Sequence, residues 1–261
     1  MLFGEHATCQ AEAEYPELWR GLVGAWSPCL SPRGGTVLRD LSGRRYDGSL
    51  QNTANFSWEI VNGYRALRST GGTSHVRVPL ASMPSGSQSR SVFAWVLTTA
   101  TARQGVVGTR ETGWILGFRN TTDLWYVMVG GTIIASTQNY ATNTWYHIGF
   151  THDVPSTTAT LYLNGKPIHS SSAAGGSAGS SFGYMFVEDN IQGNPLTGSM
   201  ADVVAYDRAI NANSVMAHFR LGPGGWATPR RRRWNYATAQ TAIPYWVFAR
   251  KNARLIGGGV T

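Results

Sequence analysis

Asn143-Thr144-Trp145-Tyr146-His147-Ile148-Gly149-Phe150-Thr151-His152-Asp153, followed after a short linker by Ala159-Thr160-Leu161-Tyr162-Leu163-Asn164-Gly165-Lys166, decides how this chain is built. Both halves alternate bulky and polar residues with a period of two and are bounded by turn formers. That pattern predicts two antiparallel strands, the second ending in an Asn-Gly turn. Trp145, His147 and Gly149 then share one face of the first strand, and Tyr146, Ile148 and Phe150 share the other. Leu161 and Leu163 share a face of the second. Such strands require burial on at least one side, and nothing in them suggests catalysis.

Outward from this pair, short strands are predicted over residues 36–41, 46–51, 56–60, 64–67, 75–78, 92–98, 105–109, 114–118, 124–129, 132–136 and 182–187. Val129-Gly130-Gly131-Thr132 reads as a two-residue hairpin, because glycines reach the positive φ that primed turns need. Residues 211–219 read as one or two helical turns, capped by Asn211 or Asn213. Charged residues make up 14% of the 261-residue chain, which suits strands and tight turns better than amphipathic helices. The regular spacing predicts an all-β fold, a two-sheet antiparallel sandwich, rather than a parallel sheet with crossover helices. There is no apolar run long enough for a membrane-spanning helix.

Five fragments, in order, carry a family resemblance: Gly21-Leu22-Val23-Gly24-Ala25-Trp26; Leu38-Arg39-Asp40-Leu41-Ser42-Gly43 with Asp47-Gly48-Ser49-Leu50; Ser91 to Val96 with its Ala-Trp; the Trp145 strand with Leu161-Tyr162-Leu163-Asn164-Gly165; and Leu196 to Ile210 with its Tyr206-Asp207-Arg208 exit. Together they resemble the laminin-G-like, concanavalin-A-type jelly roll. The resemblance implies one sandwich over residues 21–220, between an N-terminal arm (1–20) and a basic, aromatic C-terminal tail (221–261). The arm carries Glu5, Glu12, Glu14 and Glu17 and lacks the basic start and apolar core of a secretory signal, so synthesis in the cytoplasm is expected.

Chemistry is sparse. Some enzymes of this fold cleave polysaccharides with a Glu-x-Asp-x-x-Glu strand, and none of the seven glutamates begins that pattern. Glu188 and Asp189, adjacent in an extended chain, would point to opposite faces and make a poor acid and base pair. Gly175-Gly176-Ser177-Ala178-Gly179 matches a nucleophile elbow only in letters, since it lacks the flanking strand and helix. No catalytic residue and no enzyme activity are expected. Calcium is held at a loop edge by some relatives. Here Asp40, Asp47, Asp153 and Asp189 are scattered and read as turn formers, so no cofactor or metal is expected. His147 and His152 read as strand residues, and Trp26, Trp95 and Trp145 as core. Cys9 and Cys29 read as half-buried thiols, with a bridge between them the weaker alternative.

The C-terminal tail carries the sharpest signal. No acidic residue follows Asp207, while Arg230, Arg231, Arg232, Arg233, Arg250, Lys251 and Arg254 follow Gly222. Taking these seven from 22 basic residues leaves 15 against 14 acidic, so a net charge of +8 falls to +1. The arginines with Trp226, Trp234 and Tyr236 could grip phosphates and stack on bases. The Ile243-Pro244-Tyr245-Trp246-Val247-Phe248-Ala249 run instead asks for an apolar partner surface: its own sandwich, a sister subunit or another protein. Docking through Trp226, Arg230 to Arg233, Trp234, Tyr236, Tyr245, Trp246 and Phe248 is favoured over nucleic acid. The whole arrangement also resembles laminin-G-like proteins encoded among tailed-bacteriophage structural genes. That resemblance implies a virion surface component, a head decoration or fibre-like protein partnered by capsid or virion subunits and made in the host cytoplasm. A carbohydrate-binding adhesin recognising a host-surface glycan is the alternative.

Overall fold

The computed structural model describes residues 11–31, 34–109, 113–119, 124–173, 182–188 and 193–228. Two antiparallel sheets of eight strands each form the expected sandwich. With strands numbered along the chain, the first sheet runs β14 (Lys166–Ser172), β13 (Thr158–Leu163), β12 (Tyr146–Asp153), β7 (Arg90–Thr98), β16 (Thr197–Tyr206), β5 (Tyr64–Thr70) and β4 (Phe56–Val61). β1 (Leu22–Trp26) pairs with the far half of β16, beyond the reach of β5. The second sheet runs β11 (Thr132–Asn139), β10 (Leu124–Val129), β9 (Trp114–Phe118), β8 (Gln104–Gly108), β15 (Phe182–Met185), β6 (His75–Pro79), β3 (Gly48–Gln51) and β2 (Val37–Leu38).

The organising pair behaves as its alternation requires. Ile148 stands opposite Leu163 and Phe150 opposite Leu161, and all four join Trp26, Trp114 and Trp125 in the core between the sheets. The Asn164-Gly165 turn takes positive φ at both residues, as does Gly130-Gly131 between β10 and β11. Three expected strands are shorter than the pattern suggested, and that over residues 46–51 begins only at Gly48. Residues 36–41 keep only β2, because the Asp40 carboxylate gathers Ala25 N, Ser42 N, Ser42 Oγ and Tyr46 N at 2.7–3.0 Å and folds the chain into a loop. Residues 182–187 stop at Met185, because Phe186 adopts a φ of 68° and sends its amide to Val106 O, a left-handed conformation that ends an extended run.

β7 is buried at all nine positions. Its inner face adds Val92, Ala94 and Val96 to the core, while Phe93 and Trp95 point the other way. This outer face of the first sheet is roofed by the arm, by the helix α2 (Ala212–Leu221) and by a 3-10 turn at Gly225–Ala227. Asn211 caps α2, its Oδ1 accepting from Ser214 N at 2.9 Å. In the arm, the short helix α1 (Pro16–Trp19) starts on a proline and buries Leu18. The Tyr206 hydroxyl donates to Leu18 O at 2.9 Å, tying the arm to β16.

Polar groups under this roof meet one another in part, while His147 Nδ1, His218 Nε2 and Asp202 Oδ1 find no partner. His147 Nε2 and His218 Nδ1 lie 3.1 Å apart, with Phe93 stacked on His147. A β-bulge between Met200 and Asp202 presents Asp202 to Gly224 N (3.1 Å) and Trp226 Nε1 (2.7 Å). Packing therefore continues past residue 220, through Trp226, which is fully buried and tilted 5.2 Å from Trp19. Cys29 is a free thiol donating to Arg65 O, and burial pushes it up to about 12; Cys9 lies outside the described residues.

Gly149 lies under the Phe93 ring, where an added Cβ would stand 2.1 Å from Phe93 Cδ1 and 2.4 Å from Val92 O. Gly149→Ala should cost about 1–3 kcal/mol by overpacking, seen as a Tm lower by about 2–4 °C per kcal/mol. The roof should also make stability depend on pH. Burial holds His218 at about 3 and His147 well below 6.5, so their contribution is full above 6.5 and lost as pH falls toward the folded values. Asp202 opposes them. Burial raises it from 3.8 to about 7, so its contribution is full below 3.8 and lost as pH rises through about 7. Two imidazoles against one carboxyl should lower the unfolding midpoint between about pH 7 and about pH 5. His218→Gln should flatten that loss, and Asp202→Asn should remove the decline above about pH 6, both read by urea titration across pH.

Candidate ligand-binding site

The helices described above pack on the first sheet. The outer face of the second sheet carries a different set of side chains. Alternation puts Val76 and Val78 of β6 in the core and His75 and Arg77 outward. In register beside them stand Gln51 and Ser49 of β3 on one flank, and on the other Tyr184 of β15, opposite Arg77. Phe182 precedes Tyr184 on β15 and is 38% exposed. The Arg77 guanidinium carbon lies 4.9 Å from the Phe182 ring centroid, a cation–π contact.

Two atoms in this row lack a protein partner. Arg77 Nε is buried and makes no hydrogen bond. His75 is 1% exposed; its Nδ1 lies 3.0 Å from Thr73 O, and its Nε2 is unpaired. A carbonyl only accepts, so Nδ1 carries the hydrogen of the neutral ring and Nε2 offers a lone pair. Burial lowers the His75 pKa below its ordinary 6.5, keeping the ring neutral near pH 7. An unpaired buried donor or acceptor costs about 1–3 kcal/mol. Two of them stand two residues apart on one strand, beside two aromatic rings.

Farther along the face, Glu188 is the hub of a second cluster, and its side chain is only 4% exposed. Its Oε1 accepts from Arg103 Nε at 2.7 Å and from the Tyr126 hydroxyl, and its Oε2 accepts from Asn194 Nδ2 at 2.6 Å. Burial, then the Glu188 charge, push the Tyr126 phenol well above 10, so it stays protonated and donates. The hydrogen bond to Glu188 raises Arg103 in turn. Gly105 permits this approach, since a Cβ there would meet the Glu188 backbone nitrogen at 2.1 Å. With three donors directed at it, Glu188 organises this end of the face.

The loop-edge carboxylates do turn chemistry. Asp40 is saturated by its own loop, and Asp47 Oδ1 accepts from Asp40 N. Among the described residues no group of three or more His, Cys, Asp or Glu side chains could hold a metal ion. His152 lies on β12 with Nε2 3.1 Å from Ala173 O. Trp226, expected to meet a partner, is enclosed by its own chain. Arg230, Arg231, Arg232, Arg233, Trp234, Tyr236, Tyr245, Trp246 and Phe248 lie outside the described residues, as do Asp189 and the Gly175–Gly179 run.

With sheets, core and outer face in place, comparison with known proteins becomes informative. The family profile for the concanavalin A-like lectin/glucanases superfamily matches residues 70–216. The chain belongs to this superfamily. No curated protein matches it. Among solved structures it resembles domain 4 of AbnA, a GH43 extracellular arabinanase from Geobacillus stearothermophilus, in complex with arabinotriose (17% identity, TM-score 0.58, 75% of this chain and 97% of that one). It also resembles the binding domain of Paraclostridial Mosquitocidal Protein 1 (19%, 0.60, 78% and 53%) and Trypanosoma rangeli sialidase in complex with sialic acid (16%, 0.55, 82% and 38%). At such identities the likeness is one of fold. The chain spans nearly all of the arabinanase domain but a little over half of the toxin structure and well under half of the sialidase.

Within this superfamily member, Glu188→Ala should cost about 2 kcal/mol, because it strands the buried Tyr126 hydroxyl and the Asn194 amide. Glu188→Gln, which keeps an acceptor oxygen, should cost less. Denaturant midpoints of the two variants check the order; equal values would show that the carboxylate is no hub.

Proposed function

We propose that this protein is a non-catalytic, carbohydrate-binding jelly roll displayed on a tailed-phage particle, joined to other virion subunits through its terminal extensions. The observation that carries the binding half is the row on the outer face of the second sheet. It sets an unpaired guanidinium nitrogen and an imidazole lone pair beside Phe182 and Tyr184, the mix of ring and hydrogen-bonding groups that sugars require. Against cleavage stands the shape of the Glu188 cluster. The commonest glycosidase arrangement sets two carboxyl groups facing each other across the bond, and Glu188 faces an arginine, a tyrosine and an asparagine.

Support for the assembly half comes from the sequence: the run of arginines at 230–233 and the aromatic run at 243–249, on a chain otherwise near neutrality. Arginine forks suit an acidic protein surface as well as phosphate, so nucleic acid is the competing partner for this segment. The full-length protein should co-sediment with particles from its native source, and a chain ending at Thr228 should stay folded but fail to join them. Retained incorporation of the shortened chain would sink the anchoring role. Binding of the full chain to DNA with a steep salt dependence, lost on replacing Arg230 to Arg233, would move the tail to nucleic acid. A lone monomer that binds glycans would leave the adhesin.

A further inference from the structure

We infer that the outer face of the second sheet recognises an acidic sugar, its carboxylate taken by Arg77 and a neighbouring hydroxyl donating to His75. This rests on the carbohydrate-binding reading above and names the class of glycan. The starting point is a charge without a counter-charge. Among the described residues the ion pairs are Arg68 with Glu59, Arg103 with Glu188 and Arg208 with Glu17. Arg77 is in none of them. Its strand neighbours are Ser49 and Tyr184, neither of which carries a carboxylate.

The guanidinium is nevertheless held in place. Its stem rises from a strand paired on both sides, its head lies over Phe182, and Nε is enclosed without a partner. A fixed planar fork with open donors matches the two oxygens of a carboxylate better than a single hydroxyl does. His75 supplies the complementary group. It follows Arg77's face at a distance of two residues, roughly 7 Å along the strand, which is about the span between a sugar carboxylate and a ring hydroxyl two or three bonds away. Since Nδ1 is committed to Thr73 O, Nε2 accepts, and a hydroxyl hydrogen suits it where an anion does not.

Glu188 does not spoil this field, because Arg103 neutralises it. The face therefore presents one uncompensated positive charge beside an acceptor. A neutral sugar would leave that charge unpaired, and a bare phosphate would leave His75 Nε2 without a donor.

The test uses the full-length chain at about physiological ionic strength, where exposed charges are screened beyond roughly 8 Å. The probes are an oligosaccharide of uronic acids and the same oligosaccharide with its carboxyls reduced to alcohols, titrated by calorimetry. The acidic form should bind at least about tenfold tighter, the change expected from one charge-assisted bidentate contact. Arg77→Gln should abolish that difference, and Arg77→Lys, which keeps the charge but not the fork, should restore part of it. Unfolding midpoints confirm that each variant is folded. Equal affinity for both oligosaccharides, unaffected by Arg77→Gln, would overturn the acidic subsite and leave carbohydrate binding standing. No binding to either oligosaccharide or to any glycan on an array would overturn both. Preference for the acidic form that survives Arg77→Gln but vanishes when Arg230 to Arg233 become glutamine would place the effect in the tail, and the inference would fail.

Discussion

The fold depends on covering a sheet that is apolar on both sides. β7 exposes none of its nine residues, and its neighbours β12 and β16 are almost as enclosed. The second sheet covers one face. The other, with Phe93, Trp95, Tyr162 and Tyr206, would meet water without the arm, α2 and the Gly225–Ala227 turn. Burying such side chains is worth about 1.5–3 kcal/mol each, so these flanking segments are part of the domain in an energetic sense. The same constraint explains the polar pairs beneath them. A roof that excludes water leaves His147 to find His218, and leaves Asp202 to hold Gly224 and Trp226. Those hydrogen bonds offset part of the cost of burying polar groups.

The two outer faces thus divide the work. One is closed by the chain's own extensions, and the other carries Arg77 and His75; both faces hold buried hydrogen-bonding atoms without a partner. Positions held by paired strands are better suited to a binding site than positions on loops, because neighbours fix the side chains. His75, Arg77 and Tyr184 all meet that description.

The sandwich was legible because its signal is local. Alternation in residues 143–153 and 159–166 put Ile148 with Phe150, and Leu161 with Leu163, on shared faces that the structure buries in the core, and the paired glycines marked the β10–β11 turn. Strand ends were less legible where a single group decided them: Asp40 by drawing a loop onto its carboxylate, Phe186 by its left-handed backbone. The site was barely legible at all. His75 and Arg77 look like the polar half of an ordinary strand, and only the structure shows that neither finds its full set of partners. Glu188 was weighed against its neighbour Asp189, whereas its partners Arg103 and Tyr126 come from 85 and 62 residues away. His147 reads as a strand residue sharing a face with Trp145 and Gly149, but its partner His218 is 71 residues distant on a helix, and no spacing rule joins the two.

What a fold shared by lectins and glucanases can do at this face depends on what surrounds its carboxylates. Hydrolysis asks for one group that gives a proton and another, several ångströms across the bond, that attacks or activates water. Glu188 has its oxygens occupied by three donors. Glu59 belongs to β4 of the other sheet and pairs with Arg68, and Glu12, Glu14 and Glu17 belong to the arm. Among the described residues, then, no second glutamate stands across the outer face from Glu188. A cluster of this kind fixes geometry and neutralises charge. It leaves Arg77 as an uncommitted charge in the row, which on the proposal above makes the sign of a ligand the property on which this face would discriminate.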